Sequence, residues 1–136
     1  MTDEQRLEEG YAMRRRVLGD AHVDSADDNK TALNSAFQNF ITRYAWGEIW
    51  TRERLDLRTR SFITVAMLIA LNREAELAMH FRAALRNGIT EQDLSEVLLH
   101  SSVYCGLPAA NAAYHLLQKT IDEQLPRTTQ DTEPTP

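Results

Sequence analysis

Asn72-Arg73-Glu74-Ala75-Glu76-Leu77-Ala78-Met79-His80-Phe81-Arg82-Ala83-Ala84-Leu85-Arg86-Asn87-Gly88 reads as one helix with both ends marked. Asn72 is a capping residue, and Glu74 falls in the first turn, where the helix dipole favours an anion. Gly88 ends the helix because glycine enters the left-handed conformation without strain. Leu77, Phe81, Ala84 and Leu85 recur at helical spacing and form the expected buried stripe. Arg73, Glu76 and His80 lie beside that stripe on a shared face. Glu76 precedes His80 by one turn, so the two are expected to hydrogen-bond and to favour the imidazolium form. The trio has three readings: a solvated face with a surface ion pair, a cation, carboxylate and imidazole converging on a ligand, or half of a metal site. A metal needs further imidazoles, and His22, His100 and His115 are scattered along the chain, so no metal site is expected.

On the N-terminal side, Asp56 caps a helix over Leu57 to Leu71 that is apolar on most sides after Phe62, as in the middle of a bundle or an oligomer. Asp3 to Leu18 forms a first helix, with Leu7, Tyr11, Arg14 and Leu18 on or beside one face and Gly19 as its stop. Asp20 to Asp24 reads as a loop, followed by Ser25, Asp27 and Asp28 as capping residues. A second helix is expected from Asn29 to Tyr44, with Leu33, Phe37, Phe40 and Ile41 inward. Ala45-Trp46-Gly47-Glu48-Ile49-Trp50 predicts a turn with a short helical piece. On the C-terminal side, Thr90-Glu91-Gln92-Asp93 is a capping box with Asp in the Glu position. It opens a helix to Tyr104, with Leu94, Val97, Leu98 and Ser101 inward. Gly106-Leu107-Pro108 breaks the chain, and Pro108 then sits in the first turn of a helix to Gln124. No strand-like alternation occurs. The expectation is an all-α single domain of about six helices over 1–126, with a disordered tail over the Thr/Pro-rich 127–136.

A chain of 136 residues can bury a core without staples. Its net charge of −5 argues against a nucleic-acid partner, which wants a basic face. Lysine occurs only at Lys30 and Lys119 while arginine is frequent. Arginine suits bidentate carboxylate binding, and genome composition gives the same skew. The longest apolar run, Ile63 to Leu71, is too short to span a membrane. One cysteine, Cys105, allows no internal disulfide, and the N-terminus lacks a signal-peptide pattern. A soluble cytoplasmic protein is expected. The apolar helix after Phe62 makes an oligomer the expected state.

Particular residues carry a resemblance. Trp50-Thr51-Arg52, Leu55 to Ser61, Ala70-Leu71-Asn72-Arg73, Glu76 to His80, Ala84 to Gly88, Leu98-Leu99-His100 and Tyr104 to Ala110 resemble the 4-carboxymuconolactone decarboxylase family. So do Gly10 to Arg14, Val17 to Asp24 and Phe40 to Gly47. The likeness covers Gly10 to Ala113. It implies an alkylhydroperoxidase D-like helical fold, a homotrimer or homohexamer, and no cofactor. It also implies loss of carbon dioxide from 4-carboxymuconolactone to give 3-oxoadipate enol-lactone, on the route from protocatechuate to 3-oxoadipate. The peroxidases of the wider superfamily resemble Cys-x-x-Cys-x-x-x-His on the central helix, fed by a glutamate on the preceding helix. Here Arg73 and Glu76 stand in the cysteine positions, Ser61 in the glutamate position, and only His80 is kept. Peroxide reduction needs a thiolate and usually a resolving thiol, so that chemistry has lost its reactants.

Decarboxylation of such a lactone asks for three things. The site must hold carboxylates, stabilise charge on the lactone carbonyl oxygen in a dry setting, and deliver a proton to carbon. The ring is its own electron sink. With the resemblance in view, His80 held by Glu76 is the expected acid or oxyanion donor. Arg58, Arg60 and Arg73 are the expected carboxylate anchors, or else surface salt-bridge partners. Arg58 and Arg60 point to different faces, so at most one reaches the site. His22 is either a lid residue or a helix-capping histidine. Trp46 and Trp50 either dry the pocket or pack the core. Tyr104 offers a hydroxyl to the site. Cys105 reads as a small buried apolar residue, and His100 and His115 as structural or surface residues.

Overall fold

The computed structural model describes residues 1–124, and the expected tail lies outside the described residues. Among them it is all-helical. Seven α-helices run in the order α1 (Asp3–Leu18), α2 (Asp20–Asp28), α3 (Ser35–Phe40), α4 (Leu57–Ala70), α5 (Glu74–Arg86), α6 (Glu91–Cys105) and α7 (Leu107–Gln124). Between α3 and α4 the chain continues as a π-helix, Ile41–Ile49.

The helix ends follow local chemistry. The Thr2 hydroxyl accepts from the Gln5 amide while the Gln5 side chain accepts from the Thr2 amide. Thr90 and Asp93 make the same reciprocal pair at the start of α6, and Asp56 accepts from the Thr59 amide at the start of α4. Each satisfies backbone donors that a helix start leaves open. Gly19, Gly88 and Gly106 all have positive φ, where helices stop.

Three readings of the sequence are corrected. Residues Asp20–Asp28 form a helix where Asp20 to Asp24 read as a loop: Gly19, at positive φ, separates it from α1, and Val23 becomes fully buried. The helix expected from Asn29 begins only at Ser35, because Asn29 closes α2 and the chain then turns through Thr31 to Asn34. Of the apolar face expected there, Leu33, Phe37 and Phe40 are exposed. Finally, Asn72 does not cap α5. It sits at φ 56° in the turn from α4, a conformation asparagine tolerates, and Arg73 precedes the helix with no side-chain cap.

Two apolar clusters divide the interior. The larger joins α4, α5, α6 and α7 through Val65, Ile69, Leu77, Phe81, Ala84, Leu94, Leu98, Ala113 and Leu117. The smaller gathers Val17 and Leu18 of α1, Trp46 of the π-helix and Ala83 of α5, with Met13, Trp50 and Met79 against it. Helix α5 therefore lies between them, giving one face to each.

Candidate active site

His80 occupies the face of α5 turned to the smaller cluster. Its ring lies 6.4 Å from that of Trp46 and 6.3 Å from that of Trp50, at interplanar angles of 13° and 15°. The two indoles stack on each other at 4.8 Å. The two indoles are four residues apart and so share one helix face. Their segment winds as a π-helix, with the Trp50 N–H donating to the Ala45 carbonyl at 3.0 Å, and the wider turn brings Gly47 round toward the side of Thr42 and Trp46. Thr42, Trp46 and Gly47 are thereby all buried. Close approach holds the segment against α1: a Cβ on Gly10 would stand 1.9 Å from the Thr42 carbonyl oxygen, and one on Gly47 would stand 2.4 Å from that of Arg6.

Only 8% of His80 is exposed. Burial pushes its pKa down to about 4, the nearby His22 adds to the fall, and Glu76 opposes it weakly. The imidazole is therefore neutral at pH 7, opposite to the charged form that the Glu76 spacing suggests. The reason is placement. Glu76 is on the exposed side of α5, no hydrogen bond joins it to His80 among the described residues, and water screens a surface carboxylate.

A second polar group enters from α1. Arg14 is 7% exposed. Its Nη1 donates to the Thr42 hydroxyl at 3.2 Å and its Nη2 to the Gln38 side-chain carbonyl at 3.3 Å. Its Nε is buried with no partner among the described residues. The nearest carboxylate by charge, Asp27, is taken by Tyr11 Oη at 3.0 Å and Lys30 Nζ at 3.5 Å. A guanidinium out of water with only neutral partners costs several kcal/mol, since an ion pair would offset part of the desolvation. Its pKa falls accordingly, chiefly through burial. His22, half-buried on α2, feels this charge: burial lowers its pKa first, then Arg14, then Arg82. His22 is thus coupled by charge to both Arg14 and His80.

The other sequence-derived candidates lie elsewhere. Arg73 and Glu76 are exposed. Arg58 pairs with Asp93 at 2.8 Å and lies over the Phe62 ring. It also edges a cavity of about 220 Å³ with Arg16, Val17, Leu57, Ser61 and Asn87, next to the smaller cluster. Arg60 donates to the Arg52 carbonyl at 3.2 Å. Tyr104 is 78% exposed and packs on His100 along the outside of α6, so within one chain it does not meet the imidazole. Cys105 packs against the larger cluster, whereas His80 stacks on the smaller. Arg14 is the residue missed by reading for arginines near the central helix. Its signal was a charged residue in register with the apolar face of α1.

The model of the carboxymuconolactone decarboxylase family matches residues 35–119. A 4-carboxymuconolactone decarboxylase from Acinetobacter baylyi is 49% identical over 123 residues, covering 90% of this chain and 92% of the relative. Nitrosuccinic acid decarboxylase of Metarhizium robertsii is 39% identical over 119 residues, covering 88% of this chain and 83% of the relative. A 48-residue match at 46% identity spans the whole of a Pseudomonas putida sequence with the same name as the Acinetobacter protein and 35% of this chain. Family model and near full-length relatives agree: this chain belongs to the carboxymuconolactone decarboxylase family.

Proposed function

We propose that the protein removes carbon dioxide from 4-carboxymuconolactone to give 3-oxoadipate enol-lactone. The Acinetobacter relative, alike over nine-tenths of both chains, carries that name. The observation that carries the mechanism is the neutral, buried imidazole of His80 parallel to two indoles. In the reaction the bond from the ring to its carboxylate breaks, and the electron pair passes through the ring to the lactone carbonyl oxygen. Carbon dioxide leaves, and one proton from solvent adds to ring carbon. A neutral imidazole N–H is suited to the middle step. It donates to the oxygen that gains charge, in a site already stripped of water, so little reorganisation is needed. Glu76, at the surface one turn away, biases that ring only weakly.

The assembly in this reading is a homotrimer or homohexamer working in the cytoplasm on a small carboxylated lactone. Support comes from the apolar side chains left outside: Met67, Leu71, Leu99, Val103, Tyr104 and Leu107 are all more than half exposed. Packed between copies they would leave water. No helix among the described residues is long and apolar enough to cross a membrane.

The test is direct. Freshly generated 4-carboxymuconolactone should lose ultraviolet absorbance on adding the protein, with one carbon dioxide released per lactone consumed. Unchanged absorbance and no gas would remove this substrate. Nitrosuccinic acid is the second acid to assay, because a relative at 39% identity is named for it.

A further inference from the structure

We propose that Arg14 is the anchor for the carboxylate that the substrate keeps, gripping it while the departing carboxylate lies against Trp46 and Trp50. The inference rests on the decarboxylase reading above and names the part of the site that selects a diacid.

Chemistry separates the two acid groups. 4-Carboxymuconolactone carries one carboxylate on the ring carbon and one on a side chain, and only the first is lost. An arginine paired with the departing group would stabilise the ground state and lose its partner as charge moved into the ring, which slows the reaction. The same arginine on the retained group binds substrate and transition state alike, and orients the breaking bond. The departing group is better placed where nothing pairs with it. Nitrosuccinic acid, for which a relative is named, likewise keeps one carboxylate when it loses the other.

Among the described residues Arg14 is the one arginine whose whole side chain is buried, although Arg43 and Arg60 also bury an unpartnered Nε. Arg6, Arg15 and Arg58 already hold carboxylates within 3.2 Å. Among the described residues Arg14 holds none: its hydroxyl and amide partners are neutral, its buried Nε has no partner, and Asp27 is engaged by Tyr11 and Lys30. Its partner Thr42 lies one turn before Trp46 on the same buried side of the π-helix. The π-helix thus carries Thr42, which accepts from Arg14, and one turn on the Trp46 indole that stacks on His80.

Intrinsic fluorescence can read the site, since Trp46 and Trp50 are the two tryptophans of the chain. The probe is 5-oxotetrahydrofuran-2-acetic acid, a saturated lactone with the retained side chain and no departing group, compared with its methyl ester. Wild type should bind the acid at least tenfold more tightly than the ester. Arg14→Met should lose that preference and leave the ester unaffected, and Arg14→Gln should do the same if the methionine variant does not fold. Arg58→Met should keep it. Equal binding of acid and ester by wild type overturns the proposal, and so does a preference that survives in whichever Arg14 variant folds, or that vanishes in Arg58→Met instead. The probe cannot decarboxylate, so an Arg14-dependent preference without turnover of 4-carboxymuconolactone would fault the substrate and leave the anchor standing.

Discussion

The ring of His80 lies nearly parallel to that of Trp46, 6.4 Å away, although 34 positions of sequence separate them. One belongs to a regular α-helix and the other to a π-helix, and their packing leaves the imidazole dry and uncharged at neutral pH. A histidine in that state donates a hydrogen bond better than it releases a proton. The oxygen that collects charge during decarboxylation is the natural acceptor.

His80→Ala should therefore reduce kcat by about 10²- to 10³-fold, the usual loss when a preorganised oxyanion donor is removed. Circular dichroism should show the same helix content as wild type. Turnover within threefold of wild type by a folded variant would take His80 out of the mechanism.

Glu76→Gln should behave differently. The carboxylate is exposed and makes no hydrogen bond to the ring among the described residues, so its hold is a screened charge interaction one turn away. Steady-state kinetics should show kcat within about threefold of wild type, in keeping with an effect well under 1 kcal/mol. A loss as large as that of His80→Ala would mean that Glu76 turns inward when substrate binds.

Stability should rise with pH between about 4 and 6.5. The folded-state pKa of His80 is depressed to about 4 against an ordinary 6.5. In that window the unfolded chain holds a proton that the native protein excludes, so acidification favours unfolding, and the penalty is complete below the folded value. The difference amounts to about 3 kcal/mol at most. Around the ring, His22 from α2 adds to the fall and Glu76 on its own helix opposes it. His22, itself depressed by burial and by Arg14 and Arg82, contributes with the same sign. Asp93, held below the usual carboxylate range first by Arg58 and then by its bonds with Thr90, and Asp56, held there by its bonds with Thr59, contribute stability that is lost only at lower pH. Urea titrations from pH 4 to 7 should show the slope, and His80→Leu should flatten most of it. An unchanged slope in that variant would place the titration elsewhere.

Much of this was legible in residue order. Asp56, Thr90 with Asp93, Gly88 and Pro108 mark helix ends by local chemistry, and local chemistry is what a sequence displays. Leu77, Phe81 and Ala84 fall on the buried stripe that their spacing demands. What sequence could not display was the far side of each contact. The Glu76–His80 spacing is right for a bond, yet the charge state of His80 is set by Trp46, Trp50 and His22 from other elements. Arg14 reads as a residue on or beside the apolar face of α1, and only the fold shows Gln38 and Thr42 closing over it. Glycine and aromatics in Ala45 to Trp50 point to a turn, because Gly47 commonly breaks helices. Here it admits the backbone of α1 instead.

That last contact gives the sharpest test of the fold. Gly10 of α1 and Gly47 of the π-helix face each other's elements so closely that a methyl group on Gly10 would overlap the Thr42 carbonyl oxygen at 1.9 Å. The obstacle is backbone and cannot swing aside, so Gly10→Ala must push α1 away from the π-helix. Ordinarily alanine favours a helix over glycine by about 1 kcal/mol. The sign should reverse here, with a net loss of about 2–3 kcal/mol as in other overpacked interiors. Parting these helices also shifts Arg14 against Thr42 and Trp46 against His80, so kcat should fall along with the melting temperature. Gly88→Ala is the contrast: its Cβ meets nothing within 4 Å, and its cost is that of positive φ alone, about 1 kcal/mol, with activity retained. Equal melting temperatures for wild type and Gly10→Ala would show that α1 does not lie against the Thr42 carbonyl, and the aromatic frame around His80 would then need another support.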